Sequence, residues 1–483
     1  MSTSTLDCLL QSDADVRSAG EAMHRFAAEL CPFHRAITGE GVRATLQALA
    51  RRVPLGIHRV PTGLRVLDWE VPPEWEIREA WVQHPNGHRV IDLAESNLHV
   101  VSYSVGVDQE LSWSALKPHL HTLPEHPDWV PFRTAHFQSG WGFCLSHRVW
   151  QSLESESSSR PFRVFIDARQ KPGFLEWGEL HIPGQRPEEF LISTHICHPS
   201  LANDNLSGMV VATELARQLA AIPDLPISFR FLFIPATIGA ITWLDQNRTK
   251  VPLVCGGLVL SNLGDRGAFT YKTSRQQTAL IDRTVASVLK RLAPEFQWRD
   301  FTPWGYDERQ FCSPGFNLPM GRFTRTPDGE YPEYHTSADN LTFIQPDSLA
   351  ESLRILSAII SDFARLLPLE SVPNNGAGLC ARFVSSRLTE FPGPGDLMQN
   401  LQGRDRFLNL RPYGEPKLDR YGLYQGYGQA QDIEFKQAVL WMLNLSDGTH
   451  TIDDIVARSG LDVSVLRRAI ESLVGCGLIK KIN

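Results

Sequence analysis

The stretch Thr194-His195-Ile196-Cys197-His198-Pro199-Ser200-Leu201-Ala202-Asn203-Asp204-Asn205-Leu206-Ser207-Gly208 gathers two imidazoles and a carboxylate within ten positions. Imidazole nitrogens and carboxylate oxygens are donors that zinc accepts, and a catalytic zinc keeps one position for water. His195, His198 and Asp204 can offer such donors from one loop. A distant partner is His335, in the polar string Tyr334-His335-Thr336-Ser337-Ala338-Asp339-Asn340-Leu341. Plainer roles compete: histidines often sit satisfied in cores or caps, and Asp204 between two asparagines can cap a helix opening at Ser207. The spacing matches no general metal signature.

The elements around this loop have to position it. Phe190–Thr194 is an apolar run that reads as a strand, and Ser207 to Ile222 carries apolar residues at 211, 215, 219 and 222, the face of a helix. Ser228–Ile234 and Leu253–Leu260 read as further strands, with helices over Thr278–Leu292 and Ser348–Leu366. Alternating strand and helix predicts a largely parallel sheet with helices on both faces. Open sheets of this kind place their sites in loops leaving the C-terminal ends of strands. Residues 12–52 read as two helices. Residues 55–160, with Pro72-Pro73, Pro85-Asn86-Gly87 and short alternating runs, read as an inserted β-rich module. The expected organisation is therefore a main domain over 1–54 plus 161–372, the inserted module at 55–160, a Pro/Gly-rich linker at 373–429 and a C-terminal unit at 430–483. That last unit has three helices and a short terminal strand, the pattern of a winged helix.

Composition narrows the function classes. The 483 residues are 42% hydrophobic and 21% charged, ordinary for a soluble globular chain. A net charge of -7 gives no general electrostatic reason to bind nucleic acid or an anionic membrane. No basic-then-apolar leader and no apolar run near the roughly 18 residues of a membrane span is visible. The cysteines at 8, 31, 144, 197, 255, 312, 380 and 476 form no C-x-x-C pair, which argues against a disulfide framework and for the cytoplasm.

The string His195 to Gly208 resembles the aminopeptidase-like family that shares the zinc-exopeptidase fold, the aminopeptidase and glutaminyl cyclase type. Trp304-Gly305-Tyr306-Asp307-Glu308-Arg309-Gln310-Phe311, Ser313-Pro314-Gly315-Phe316, Trp141-Gly142-Phe143-Cys144 and Gly414-Glu415-Pro416-Lys417 before Gly422-Leu423-Tyr424 extend the likeness from about residue 30 to the C-terminus. The resemblance implies a mixed, mostly parallel α/β sheet flanked by helices. It gives His195 the role of first metal histidine, Asp204 that of a metal-bridging carboxylate, His335 that of a further ligand, and Cys197 the place of an acid beside the metal.

Two positions depart from that pattern. The resemblance puts a general-base glutamate where Pro235-Ala236-Thr237-Ile238-Gly239 has Ala236, which accepts no proton. Natural loss and an engineered Glu→Ala exchange both give this text. The third carboxylate ligand is expected after Leu258-Val259-Leu260, where Asn262 is a poor zinc donor and Asp265 comes a few residues late. Missing carboxylates argue for one zinc per chain, held by Asp204, His335 and either His195 or His198.

Asp307 and Glu308 are the remaining acids expected at the pocket. They can orient a substrate amine, or Glu308 can act as a surrogate base; a loop paired with Arg309 or Arg322 is the plainer alternative. Tyr306 and Tyr334 are expected beside the substrate. The C-terminal unit carries six Lys/Arg against seven Asp/Glu over 430–483, not the footprint of a DNA reader. Trp441 to Ile452 resembles small winged-helix elements that bind peptides, and a docking or dimerisation module reads equally well. The sequence thus points to a zinc-dependent aminopeptidase or amidase acting on a peptide or aminoacyl small molecule. No specific nucleic acid or membrane partner is expected, and self-association is left open. The alternative is a catalytically silent binding protein of the same fold.

Overall fold

A computed structural model describes residues 6, 13–137, 139–156, 160–367, 401–423 and 432–482. Its centre is an eight-stranded sheet in the order Gly56–Pro61, Phe174–Ile182, Ser228–Ile234, Glu189–His195, Val254–Leu260, Met320–Thr324, Thr270–Lys272, Gln297–Arg299. The four middle strands run parallel, antiparallel pairings join Gly56–Pro61, Phe174–Ile182 and Thr270–Lys272 outside them, and the edge strand Gln297–Arg299 pairs parallel with Thr270–Lys272.

The middle strands are buried on both sides, so they read as nearly continuous apolar runs. Period-two alternation still assigns the faces. Phe190, Ile192, Phe229, Phe231 and Phe233 enter one core, shared with the helices Asp13–Leu30, Gly208–Ala220, Leu280–Leu292 and Pro346–Leu366. Leu191, Leu232 and Ile234 enter the opposite core, with the helix Ile238–Gln246 and the β-rich module. The strands and helices expected from the sequence in this region appear within two residues of their bounds. Arg230 lies on the second face and is ion-paired with Glu179 and Glu189, which satisfies a charge inside the layer.

The β-rich module is a four-stranded antiparallel sheet in the order Arg89–Asp92, Glu74–Gln83, Phe162–Lys171, Val107–Leu111. Strand pairing differs from the segment bounds read along the chain. Gly56–Pro61 lies inside 55–160 yet pairs with Phe174–Ile182 in the large sheet, and Phe162–Lys171 lies beyond 160 yet pairs with Glu74–Gln83. Local pattern marks a strand, whereas its partner is chosen by contacts distant in sequence.

The C-terminal unit holds the helices Ile433–Leu445, Ile452–Ser459 and Val463–Gly475. Asp432 caps the first, Thr451 and Asp454 form a capping box on the second, and Asp462 caps the third. Its sheet takes Arg406–Asn409 between Asp447–Thr451 and Ile479–Ile482, so the unit draws a strand from the stretch expected to be linker. The rest of that stretch, over 373–400 and 424–429, lies outside the described residues. Arg275 anchors the unit to the main domain, donating to Asn444 Oδ1 at 2.9 Å and pairing with Asp447. No described helix is long and apolar enough to cross a membrane, and the six described cysteines are unpaired.

Candidate metal centre

The strands Glu189–His195, Ser228–Ile234 and Val254–Leu260 end at one edge of the sheet, and His195, Ala236 and Asn262 follow from those ends. Residues 202–207 then make an irregular turn into the helix Gly208–Ala220. Asn205 takes the capping work there, its Oδ1 accepting the Gly208 N–H at 3.2 Å. Ser207 is turned elsewhere, donating to the Asn203 carbonyl at 2.7 Å. The carboxylate of Asp204 is thereby left for the site.

Three histidines surround it. His195 Nε2 lies 2.8 Å from Asp204 Oδ1, His335 Nε2 lies 3.0 Å from Oδ2, and His198 Nδ1 lies 3.3 Å from Oδ2. The donor atoms of His195, His198 and Asp204 all fall within 4.8 Å of one another. Tyr306 donates to Asp204 Oδ1 at 3.1 Å and stacks on the His195 ring at 4.8 Å between centroids. Tyr334 stacks on His335 at 3.9 Å. All six of these sequence-predicted residues meet in one place.

The backbone around them is unusual. His198, Ser200, Asn262 and His335 have φ of 77°, 56°, 51° and 56°, a left-handed region that few non-glycine residues occupy. Such conformations concentrate where surrounding structure holds side chains for a task. Asp339 does part of the holding, accepting the Asn203 N–H at 2.6 Å and the Asp204 N–H at 3.0 Å. Arg35, fully buried, donates from Nε to the His198 carbonyl at 3.1 Å.

The β-rich module closes one side. Phe132 donates its N–H to the His335 carbonyl at 2.7 Å, and Val130 and Ser337 exchange hydrogen bonds at 2.8 and 3.0 Å. The Phe132 ring stands edge-on to both His198 and His335, at 5.1 and 5.2 Å. Sequence reading missed Phe132, Arg35 and Asp339 as parts of the site. Asp339 could have been found, since it falls in the string that supplied His335; Phe132 and Arg35 carry no local signal.

The other candidates sit differently. Glu308 is buried and ion-paired with Lys272, whose Nζ also donates to the carbonyls of Thr302 and Trp304 at 3.2 and 2.6 Å. Burial pushes Glu308 upward, but Lys272 and Arg322 outweigh it and hold the carboxylate below its ordinary value. Asp307 is also buried, and its Oδ1 has no hydrogen-bond partner. Burial, reinforced by neighbouring Glu308, pushes it up to about 8. Asp265 is tied to Asn203 Nδ2 at 2.9 Å, Thr326 Oγ1 at 2.7 Å and the Gly267 N–H at 2.6 Å, well occupied without a metal. Asn262 turns Nδ2 to the Thr326 carbonyl at 3.4 Å. Cys197 accepts the Ala236 N–H at 3.3 Å, and burial pushes its thiol up to about 12, unlike a nucleophile.

The donor set fits a divalent metal. Burial holds His198 well below the ordinary imidazole value, as the neutral form that ligates. Burial also opposes charge on Asp204, but the surrounding histidines outweigh it, and the carboxyl stays well below its usual range. His198 Nδ1 is buried with no hydrogen-bond partner, an orphan that a cation would satisfy.

Residues 24–365 match the family model described as Domain of unknown function (DUF4910), and 405–481 match one described as winged helix-turn-helix. The chain belongs to the DUF4910 family. This DUF4910 protein is 38% identical over 464 residues to a Clostridium acetobutylicum protein described, provisionally, as a polysaccharide biosynthesis protein with aminopeptidase-like domain; the match covers 96% of this chain and 97% of that one. A crystal structure from Clostridium acetobutylicum, described provisionally as a peptidase, is 36% identical, covers 97% of this chain and 98% of its own, and superposes with a TM-score of 0.69. A zinc aminopeptidase from Bacillus subtilis is 12% identical, with a TM-score of 0.51 over 71% of this chain and 94% of that one. The DUF4910 domain therefore has the zinc-exopeptidase fold, followed by a winged helix.

Proposed function

We propose that the protein is a zinc-dependent hydrolase of aminopeptidase or amidase type, acting on a peptide or an aminoacyl small molecule. The observation that carries this reading is the convergence of His195, His198 and His335 on the single carboxylate of Asp204. Asp204, His335 and one of His195 and His198 would hold one zinc per chain. When bound, that metal supplies Lewis acidity toward a carbonyl and activates water at neutral pH.

The chain's own side chains do the rest. Tyr306 and Tyr334 form aromatic walls on His195 and His335 and would flank a substrate. Phe132 and the Val130–Ser337 contacts keep bulk water from the back of the imidazoles, and a drier site strengthens each charge interaction. The ion pair of Glu308 with Lys272 leaves it poorly suited to be a base. A second reading, a silent binding protein that keeps the pocket, is favoured by Ala236, which has no acidic group.

The winged helix reads as a docking unit rather than a duplex reader. On its third helix Arg467 donates to the Leu401 carbonyl at 3.0 Å and Arg468 to Asp432 at 3.0 Å, so both arginines have partners in the chain itself. Metal analysis of protein purified without chelator, with turnover assays on aminoacyl p-nitroanilides and dipeptides, tests the main reading. Zinc with turnover supports the hydrolase, zinc with binding alone supports the silent form, and no metal overturns both site assignments.

A further inference from the structure

Among the described acidic side chains around the metal centre most are committed, including Asp328, which pairs with Arg322. Asp204 faces the histidines, Asp339 accepts two backbone N–H groups, Asp265 is held by Asn203, Thr326 and Gly267, and Glu308 is paired with Lys272. Asp307 differs. It is 1% exposed, and its Oδ1 finds no hydrogen-bond partner. A buried acid oxygen left without a partner is costly, and such groups cluster where protons are handled.

Its place supports that role. Tyr306, one residue earlier, donates to Asp204. Asp307 is also close enough to Cys197 to act on its sulfur electrostatically, and that sulfur accepts the Ala236 N–H. Cys197 thus couples Asp307 electrostatically to the strand end that carries position 236, where the chain has only a methyl group. The charged or titratable groups acting on Asp307 are Glu308, Arg309 and Cys197.

We propose that Asp307 is the carboxyl that takes up and returns the proton in this site. The proposal rests on the hydrolytic reading. In the reaction, the oxygen of water forms a bond to the carbonyl carbon while its proton passes to the ionised Asp307 carboxylate. As the carbon–nitrogen bond breaks, the same proton passes to the departing amine, and Asp307 is again ionised. Water is the co-reactant, and no electrons are exchanged. Burial places the carboxyl close to neutrality, so both forms exist at working pH.

The test compares wild type, Asp307→Asn, Ala236→Glu and the double variant, each with zinc content measured and assayed on aminoacyl p-nitroanilides. Asp307→Asn should lower turnover by roughly 10²–10⁴-fold with zinc unchanged. Ala236→Glu should restore most of that loss in the Asp307→Asn background and change the wild type far less. Turnover retained by Asp307→Asn, or no rescue by Ala236→Glu, overturns the proposal while leaving the hydrolase reading standing. If none of the four proteins turns over any anilide, the hydrolase reading falls and the proposal with it. Infrared spectra of metal-free protein at neutral pH give an independent readout. Burial also pushes Asp339 up to about 8, so the protonated-carboxyl band should weaken in Asp307→Asn and stay whole in Glu308→Gln, and a band unchanged in Asp307→Asn overturns the assignment.

Discussion

Tyr306 donates its phenol hydrogen to Oδ1 of Asp204 at 3.1 Å, on the same oxygen that His195 approaches at 2.8 Å. Burial drives the phenol well above its ordinary value, so it remains a donor at any assay pH. The hydrogen bond fixes the rotation of the one carboxylate on which all three histidines depend.

Tyr306→Phe should therefore weaken zinc binding without removing it. Outer partners of metal ligands are typically worth about 10–100-fold in affinity. Competition with a chromophoric chelator measures this, and an unchanged affinity would show that Asp204 is oriented by its histidines alone.

Direct ligands should behave more severely. Asp204→Ala and His335→Ala should each abolish near-stoichiometric zinc, since a three-donor set has no redundancy. Of His195→Ala and His198→Ala, one should do the same and the other should only lower affinity. Metal analysis of the four variants decides which imidazole ligates.

Phe132→Ala removes a ring that is 2% exposed and stands against two of the site histidines. Phe→Ala in a packed core costs about 3–5 kcal/mol, and here part of the loss should appear as weaker metal binding. Phe132→Leu, closer in volume, should retain most of both. Denaturation midpoints with and without zinc separate the two effects.

Asp307 gives a pH signature in the metal-free protein. Its folded value is raised to about 8, above the ordinary carboxyl value of 3.8. The folded state thus keeps a proton that the unfolded state has released, and stability falls as pH rises across that interval. Asp307→Asn should lose less thermal stability than wild type between pH 5 and pH 7.5. Equal losses in the two proteins would remove Asp307 as the source.

The full chain should show no sub-micromolar, salt-sensitive affinity for duplex DNA. Arg467 and Arg468 already have partners in Leu401 and Asp432, and the charge balance over 430–483 is one negative. A gel-shift titration at two salt concentrations checks this.

The sequence by itself determined the elements and the donors. Apolar periodicity marked Ser228–Ile234 and its neighbours because each is buried through most of its length. His195, His198, Asp204 and His335 were legible because ligand chemistry admits few residue types. Only the tertiary structure decided what those residues face. That Asn205 and not Asp204 caps the helix depends on the irregular turn at 202–207. That Phe132 backs two histidines depends on a bridge between Pro131 and Thr336, two hundred positions apart in sequence. That Glu308 is ion-paired while Asp307 Oδ1 is left without a hydrogen-bond partner depends on Lys272 arriving from the strand Thr270–Lys272. Local pattern records which way a side chain can point along its own element; burial and charge at a site are set by what other elements bring to it.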